Sequence, residues 1–426
     1  MTPQRSQPTA EAVRRLSHPF HRQEDLNVLI PSCAASRFVL LGEASHGTSE
    51  FYSVRAELTR RLISEQGFRF IAVEGDWPAC FEVNRYVKGL PGAATTAKDA
   101  LLQAFNRWPI WMWANEETES LIEWLKFYNE SQPPHLRVGF YGIDVYSLWE
   151  SMEAVIAYLE RTNSEHVDAA KKAFACFGPF GREAQSYGLS ASIFGEGCEK
   201  EVVELLTKLR IERGRTAAAQ EDALDAEMNA LVALHAEHYY RTMITDDVES
   251  WNIRDRHMTE AVLRIADYYG HGAKGLVWEH NTHIGDARAT DMAADGMVNV
   301  GQLLREQTPE GSVYAVGFGT HRGTVMAAYG WGETPSVMEV PPARDGSREE
   351  LLHQLGSGNR IILFDAESEN GPLQEPIGHR AIGVVYHPQN ERGNYVPSRM
   401  PTRYNAFVYI EETKAVRPLA AVYALV

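Results

Sequence analysis

Six short apolar runs, each followed at once by polar residues able to do chemistry, constrain this chain more than any other feature. Arg37-Phe38-Val39-Leu40-Leu41 leads into Gly42-Glu43-Ala44-Ser45-His46-Gly47, and Phe70-Ile71-Ala72-Val73 into Glu74-Gly75-Asp76. Val138-Gly139-Phe140-Tyr141 leads into Gly142-Ile143-Asp144, and Gly275-Leu276-Val277-Trp278 into Glu279-His280-Asn281-Thr282-His283. Val313-Tyr314-Ala315-Val316 leads into Gly317-Phe318-Gly319-Thr320-His321, and Ile361-Ile362-Leu363-Phe364 into Asp365. Continuous apolar runs of this length fit strands buried on both faces, as in a parallel sheet. Between the first two runs, Phe51, Val54, Leu58 and Leu62 recur three or four apart, with Thr48 as an N-cap and Gly67 as a stop. That is the signature of a helix, and strand, helix, strand is a βαβ unit. The chain is therefore expected to be α/β with a mostly parallel sheet.

Two stretches differ in texture. Residues 1–36 form a lead-in with a short helix near Ala10 to Leu16. Residues from about 195 to 268 are rich in Ala, Glu and Leu, with helical periodicity and no strand signal, and predict an insertion of long helices. After Asp365 the pattern is irregular until a late strand at Ala406-Phe407-Val408-Tyr409-Ile410. The expected division is thus a lead-in followed by one catalytic domain over 37–426 carrying the insertion.

Charge and cysteines bound the partners and the setting. Basic residues number 41 against 57 acidic, a net charge of −16, which repels phosphate backbones and anionic lipid. Nucleic acid and membrane are accordingly not expected as partners, and no apolar run is long enough to span a bilayer. Cys33, Cys80, Cys176 and Cys198 show no C-x-x-C pairing. With a polar beginning that lacks a signal-peptide core, they predict reduced thiols and a cytoplasmic protein.

In an open parallel sheet, ligands sit beyond the carboxyl ends of the strands. Glu43, His46, Glu74, Asp144, His280, His283 and His321 all stand at such ends, so topology gathers residues that are distant in sequence. Turns favour Gly, Asn, Asp, Ser and Pro, and do not call for Glu or His. The cluster therefore reads as an active site. A histidine between a strand and a helix suits a general base, because its ordinary pKa lies near neutrality. Glu43, three residues before His46, is placed to orient it. Ser45 fits a nucleophile less well, since Gly42-x-x-Ser45-x-Gly47 is not the G-x-S-x-G elbow. Gly270-His271-Gly272-Ala273-Lys274-Gly275 precedes a strand, whereas a dinucleotide loop follows one, so it reads as a connection.

Tryptophans crowd one region: Trp77, Trp108, Trp111, Trp113 and Trp124. Trp108-Pro109-Ile110-Trp111-Met112-Trp113 is too dense for one helix face, and Trp77, Trp108, Trp111 and Trp113 are candidates to wall an apolar cleft, together with Asp144 and His321. Asp246, Asp247 and Asp255 are placed either to face that cleft or, as the more ordinary arrangement, to form a solvated helix face.

Gly42-Glu43-Ala44-Ser45-His46-Gly47-Thr48-x-Glu50-Phe51, then Val73-Glu74-Gly75-Asp76, resembles the signature of the erythromycin esterase family. Trp278-x-His280-Asn281-x-His283, Gly317-x-Gly319-Thr320 and the tail from Ala406 to Leu419 add to the likeness. Position 49 is Ser, where many members of the family carry His. The resemblance implies a three-layer α/β/α core with a helical insertion, and hydrolysis of carboxylic esters, in some members macrolide lactones, an antibiotic-resistance activity. It implies His46 as the base that activates water, supported by Glu43, Arg55, Glu74, His280 and His283. In that scheme Arg55 and Glu74 fix each other, and His283 and His280 stabilise the oxyanion. The substrate is then a small-molecule ester, and no cofactor is required. Two other readings fit the same cluster: a metallohydrolase holding a divalent metal such as Zn²⁺ or Mn²⁺, and a non-catalytic pocket for a small ligand or haem.

Overall fold

The computed structural model describes residues 3–180, 182, 184–194, 197–208, 217–356 and 358–419. Parts of the expected helical insertion, residues 195–196 and 209–216, lie outside the described residues, as do 420–426. Along the chain the strands are β1 Ser17–Pro19, β2 Phe38–Leu41, β3 Phe70–Asp76, β4 Gly139–Asp144, β5 Gly275–Trp278, β6 Val313–Ala327, β7 Ser336–Val340, β8 Arg360–Leu363, β9 Ile377–Arg380, β10 Tyr395–Ser398 and β11 Ala406–Thr413. Each apolar run read from the sequence falls on one of them.

The main sheet has the order β1-β8-β11-β6-β2-β5-β3-β4, with β7 paired to β6. From β11 to β4 all neighbours are parallel. The strands β8, β1 and β7 add antiparallel pairs at the other end. Helices cover both faces, giving the three-layer α/β/α arrangement. Along β2, Phe38 and Leu40 pack into one apolar cluster and Val39 and Leu41 into the other. Burial on both faces is why these runs are apolar without alternation.

One face is covered by helices that include Ser49–Gln66, Trp77–Lys88 and Glu116–Glu130. Gly67 takes φ +71° and closes the first of these, as its position in the sequence suggests. The other face is covered by the chain between β4 and β5. Its described helices are Leu148–Arg161, Val167–Cys176, Ala184–Phe194, Glu199–Lys208, Ala217–Thr242 and Asp247–Tyr269. Helical structure therefore begins well before residue 195. The lead-in contains a helix, Pro3–Leu16, and the edge strand β1.

Two expectations are corrected here. Cys176 and Cys198 form a disulfide, whereas Cys33 and Cys80 are free and buried. The pairing is invisible in sequence because 22 positions separate the two cysteines, and only packing of the helical layer brings them together. His321 does not stand beyond a strand. β6 continues through Ala327, because β11 pairs with it from Val316 to Gly323. The glycines in Gly317-Phe318-Gly319 are close-packing positions within that strand: a Cβ on Gly319 would lie 2.6 Å from the Phe407 ring.

Candidate active site

The strand order sets the site. β5 lies between β2 and β3, with β4 beyond β3, so the carboxyl ends of four adjacent strands present Glu43 and His46, Glu279 to His283, Glu74, and Asp144. The Gly42–Thr48 loop after β2 is fixed by backbone bonds: Gly42 N–H donates to Val316, Asn281 N–H to Glu43, and both Met326 and Val416 N–H to Gly47. A Cβ on Gly47 would sit 2.1 Å from the Met326 carbonyl oxygen, so the loop needs glycine there. The Ser45 hydroxyl bonds to that of Thr48. It ties the turn.

His46 is held at its Nδ1 by Glu43 Oε1 at 2.9 Å. Arg55 Nη2 donates to the other oxygen of Glu43 at 2.6 Å. Arg55 is fully buried, with its guanidinium over the rings of Tyr52 and Trp278. Burial alone pulls the His46 pKa down, but Glu74 and then Glu43 outweigh it and hold the imidazole above its ordinary value. His46 keeps 8% of its surface exposed, in polar surroundings.

Arg254, on the helix Asp247–Tyr269, is the hub of the second half. Its Nε and Nη2 donate to Asp144 at 2.9 and 2.7 Å, and Nη2 also donates to Glu74 Oε1 at 2.7 Å. Its Nη1 lies 3.0 Å from His283 Nε2. Glu74 Oε2 accepts from the His280 backbone N–H at 2.8 Å. Burial would raise the Glu74 pKa, yet His283, His46 and Arg254 together hold it well below the usual carboxylate range. The expected Arg55–Glu74 pair is thus replaced by two separate pairs, Arg55 with Glu43 and Arg254 with Glu74. Arg254 reaches the strand ends from the opposite layer, and no local pattern around it announces this.

Strand β5 ends in a bend. His280 is the N-cap of the short helix Asn281–Ile284, and this turn lets both histidines enter the cluster although they are three apart. His283 Nδ1 is bonded to Asp255 at 2.9 Å, and its ring stacks on Trp251 at 4.5 Å. Asp255 is fully buried, not part of a solvated face, because it sits on the inward side of its helix and also accepts from Val300 N–H. His280 Nδ1 accepts from the Thr282 N–H and lies 2.8 Å from the Thr282 hydroxyl. Its proton therefore belongs on Nε2, which is buried and has no partner among the described residues. Burial, with His46 beside it, depresses the His280 pKa well below the ordinary value and keeps the ring neutral. The His46 and His280 rings are 5.0 Å apart.

The tryptophans and His321 are placed differently. Trp77 and Trp111 are fully buried in the core, Trp77 stacking on Tyr141 and donating to Asp225, so neither walls an open cleft. Trp113 is buried and donates to the Glu74 carbonyl at 3.0 Å. Trp108 is half-buried and packs on the exposed Trp331 at 4.5 Å. His321 stacks on His353 at 3.9 Å and lies 3.7 Å from Glu350, and these are the partners its ring has among the described residues in place of the His46 cluster. Among the described residues no group of three or more His, Cys, Asp or Glu has metal-holding geometry. The oxygens of Glu74 and Asp144 are engaged by Arg254 and by the His280 N–H.

The profile of the erythromycin esterase family matches residues 63–413. The chain belongs to the erythromycin esterase family. As an erythromycin esterase-family member it is a carboxylic ester hydrolase. It is 22% identical over 380 residues to erythromycin esterase type II of Escherichia coli, covering 82% of this chain and 86% of that protein. It is 21% identical to the putative hydrolase YbfO of Bacillus subtilis (strain 168), over 77% of this chain and 74% of the relative. Among solved structures, a succinoglycan biosynthesis protein superposes with a TM-score of 0.77 at 18% identity, covering 97% and 98% of the two chains. A mutant of the erythromycin esterase EreC in its open conformation superposes with a TM-score of 0.62 at 17% identity, covering 96% of each. At these identities the solved structures speak to the fold. The family profile begins after Glu43 and His46, so their place in this esterase rests on the geometry above.

Proposed function

We propose that the esterase hydrolyses its ester by direct attack of water, with His46 as general base. The observation that carries this reading is the pair of histidine rings, His46 and His280, 5.0 Å apart beyond the ends of β2 and β5. Glu43 engages His46 Nδ1 and fixes the tautomer whose Nε2 can take a proton. Beside it, His280 Nε2–H is a buried neutral donor with no hydrogen-bond partner among the described residues. Water loses its proton to His46 Nε2 as its oxygen attacks the acyl carbon. Glu43 and Glu74 stabilise the imidazolium that forms, and Arg55 holds Glu43. The oxyanion accepts from His280 Nε2–H, with the Arg254 guanidinium adding positive charge nearby. The tetrahedral intermediate collapses, and His46 returns the proton to the departing alkoxide. His283, held by Asp255, positions Arg254 and Glu74.

The substrate is a small neutral or cationic ester, in keeping with the acidic surface, and macrolide lactones are the first class to test because two relatives carry the name erythromycin esterase. The cytoplasmic setting read from the cysteines loses that support once Cys176 and Cys198 are paired. No described helix is long and apolar enough to cross a membrane. The test is a hydrolysis screen over macrolides, aryl esters and acylated sugars with the wild type, His46→Ala and His280→Ala, run with and without a chelator. Loss of two to four orders of magnitude in kcat for His46→Ala is expected. Turnover near the wild-type level in that variant sinks the assignment, and loss of wild-type activity with chelator turns it toward metal chemistry.

A further inference from the structure

The residue beside Glu74 in the sheet has no role in the mechanism above. β5 runs parallel to β3 with Val73 opposite Trp278, so Glu279 and Glu74 follow side by side at the ends of adjacent strands. Both are buried, Glu74 at 5% exposure and Glu279 at zero. Their surroundings differ. Glu74 accepts from Arg254 and from the His280 N–H. Neither carboxyl oxygen of Glu279 has a hydrogen-bond partner among the described residues. The charged groups that act on it are Glu74 on β3, Asp144 on β4, and Arg254 and Asp255 on the helix Asp247–Tyr269. Three of these four are acidic, and Arg254 is already committed to Glu74 and Asp144.

Adjacent buried carboxylates repel each other as anions, and Glu279, unlike Glu74 and Asp144, has no cation or N–H donor among the described residues to offset that cost. The one with partners keeps the charge, and an unpartnered buried carboxylate is costly enough that the group takes a proton instead. We propose that Glu279 is a positioning residue of the esterase site, the protonated member of a Glu74/Glu279 pair, whose neutrality leaves Arg254 free to hold Glu74 as the anion facing His46. Burial, then Glu74 and Asp255, push its carboxyl well above the ordinary range, in agreement with the geometry. Ionised, Glu279 would compete for Arg254 and add negative charge beside Glu74. The role rests on the esterase mechanism above; the protonation state does not.

The test has two readouts. In protein labelled with ¹³C at the Glu carboxyls, the resonance lost in Glu279→Gln identifies residue 279. It is expected to show a protonated acid at neutral pH, whether or not turnover is detectable. A resonance that titrates with ordinary glutamates, or is ionised at neutral pH, overturns the proposal. In hydrolysis, Glu279→Gln, an uncharged side chain of the same shape, is expected to keep kcat and KM within about threefold at neutral pH. The wild type is expected to show a fall in kcat on the alkaline side as Glu279 ionises, and Glu279→Gln to lack it. A tenfold loss at neutral pH, an alkaline fall shared by variant and wild type, or failure of Glu279→Gln to fold each overturns it.

Discussion

His46 and His280 show how the same side chain is set to opposite tasks at one strand-end rim. Both are buried, and burial pulls both pKa values down. His46 faces Glu74 and Glu43 and ends above the ordinary 6.5, whereas His280 faces His46 and ends well below it. A base must be neutral to act, so activity is expected to fall as pH drops through a value above 6.5, where His46 protonates. Glu43→Gln removes one of the charges that raises this value. Its acid limb in kcat/KM should move to lower pH while kcat falls, and a limb that stays in place argues that another group sets it. Arg254 offers a sharper case. It spans Asp144, Glu74 and His283 with three nitrogens, a reach a lysine ammonium does not reproduce. Arg254→Lys is expected to lower kcat/KM about a hundredfold and to cost a few kcat-independent kcal/mol, roughly 3, because two buried carboxylates lose their partner. Steady-state kinetics and urea unfolding on the same sample check both parts; wild-type values in both would show that the hub is dispensable.

Elements place these residues, and the loop after β2 does so most tightly. Gly47 has the Met326 carbonyl oxygen where a side chain would begin. Gly47→Ala must displace either His46 or β6, and is expected to destabilise by about 1–3 kcal/mol and to lower kcat about a hundredfold through misplacement of the base. Gly67→Ala is the control. Its φ of +71° makes it strained, but nothing lies within 4 Å of the new methyl group. It should cost about 1 kcal/mol with kcat unchanged, by thermal unfolding and turnover assays. Equal loss of activity in both variants would mean that the close approach at Gly47 is not what holds His46. The strand ends were legible in sequence because each parallel strand is a bare apolar run followed by its functional residues, as at Val73-Glu74 and Trp278-Glu279-His280. Arg254 and Asp255 were not legible. They lie mid-helix, where only the side turned toward β3 and β5 separates a functional pair from a solvated one, and the local pattern does not reveal that side. His321 misled for a related reason: Gly317 and Gly319 look like a turn, but they make room for the rings of Tyr404 and Phe407 within a continuing strand.

At the scale of the whole molecule, the helical layer that supplies Arg254 and Asp255 is tied together by the Cys176–Cys198 disulfide. The bond joins the helix Val167–Cys176 to the chain just before the helix Glu199–Lys208. Among the described residues no disulfide ties this layer to the β-sheet or to the loop bearing His46. Closing a loop across 22 positions restricts the unfolded chain by an entropy worth about 3 kcal/mol. Cys33 and Cys80 are buried, and burial pushes the Cys33 thiol up to about 12, so neither is a ready partner for exchange. Protein prepared under oxidising conditions should therefore give two free thiols on unfolding without reductant and four after reduction. Reduction, or a Cys176→Ser and Cys198→Ser double variant, should lower the unfolding midpoint. Because the helix Asp247–Tyr269 packs directly on β3, β4 and β5, the site itself should outlast that loss, with KM and kcat near the wild-type values well below the midpoint. A double variant that unfolds at the wild-type midpoint would show that this bond contributes nothing to stability. One that loses turnover while still folded would show that Arg254 depends on the bond.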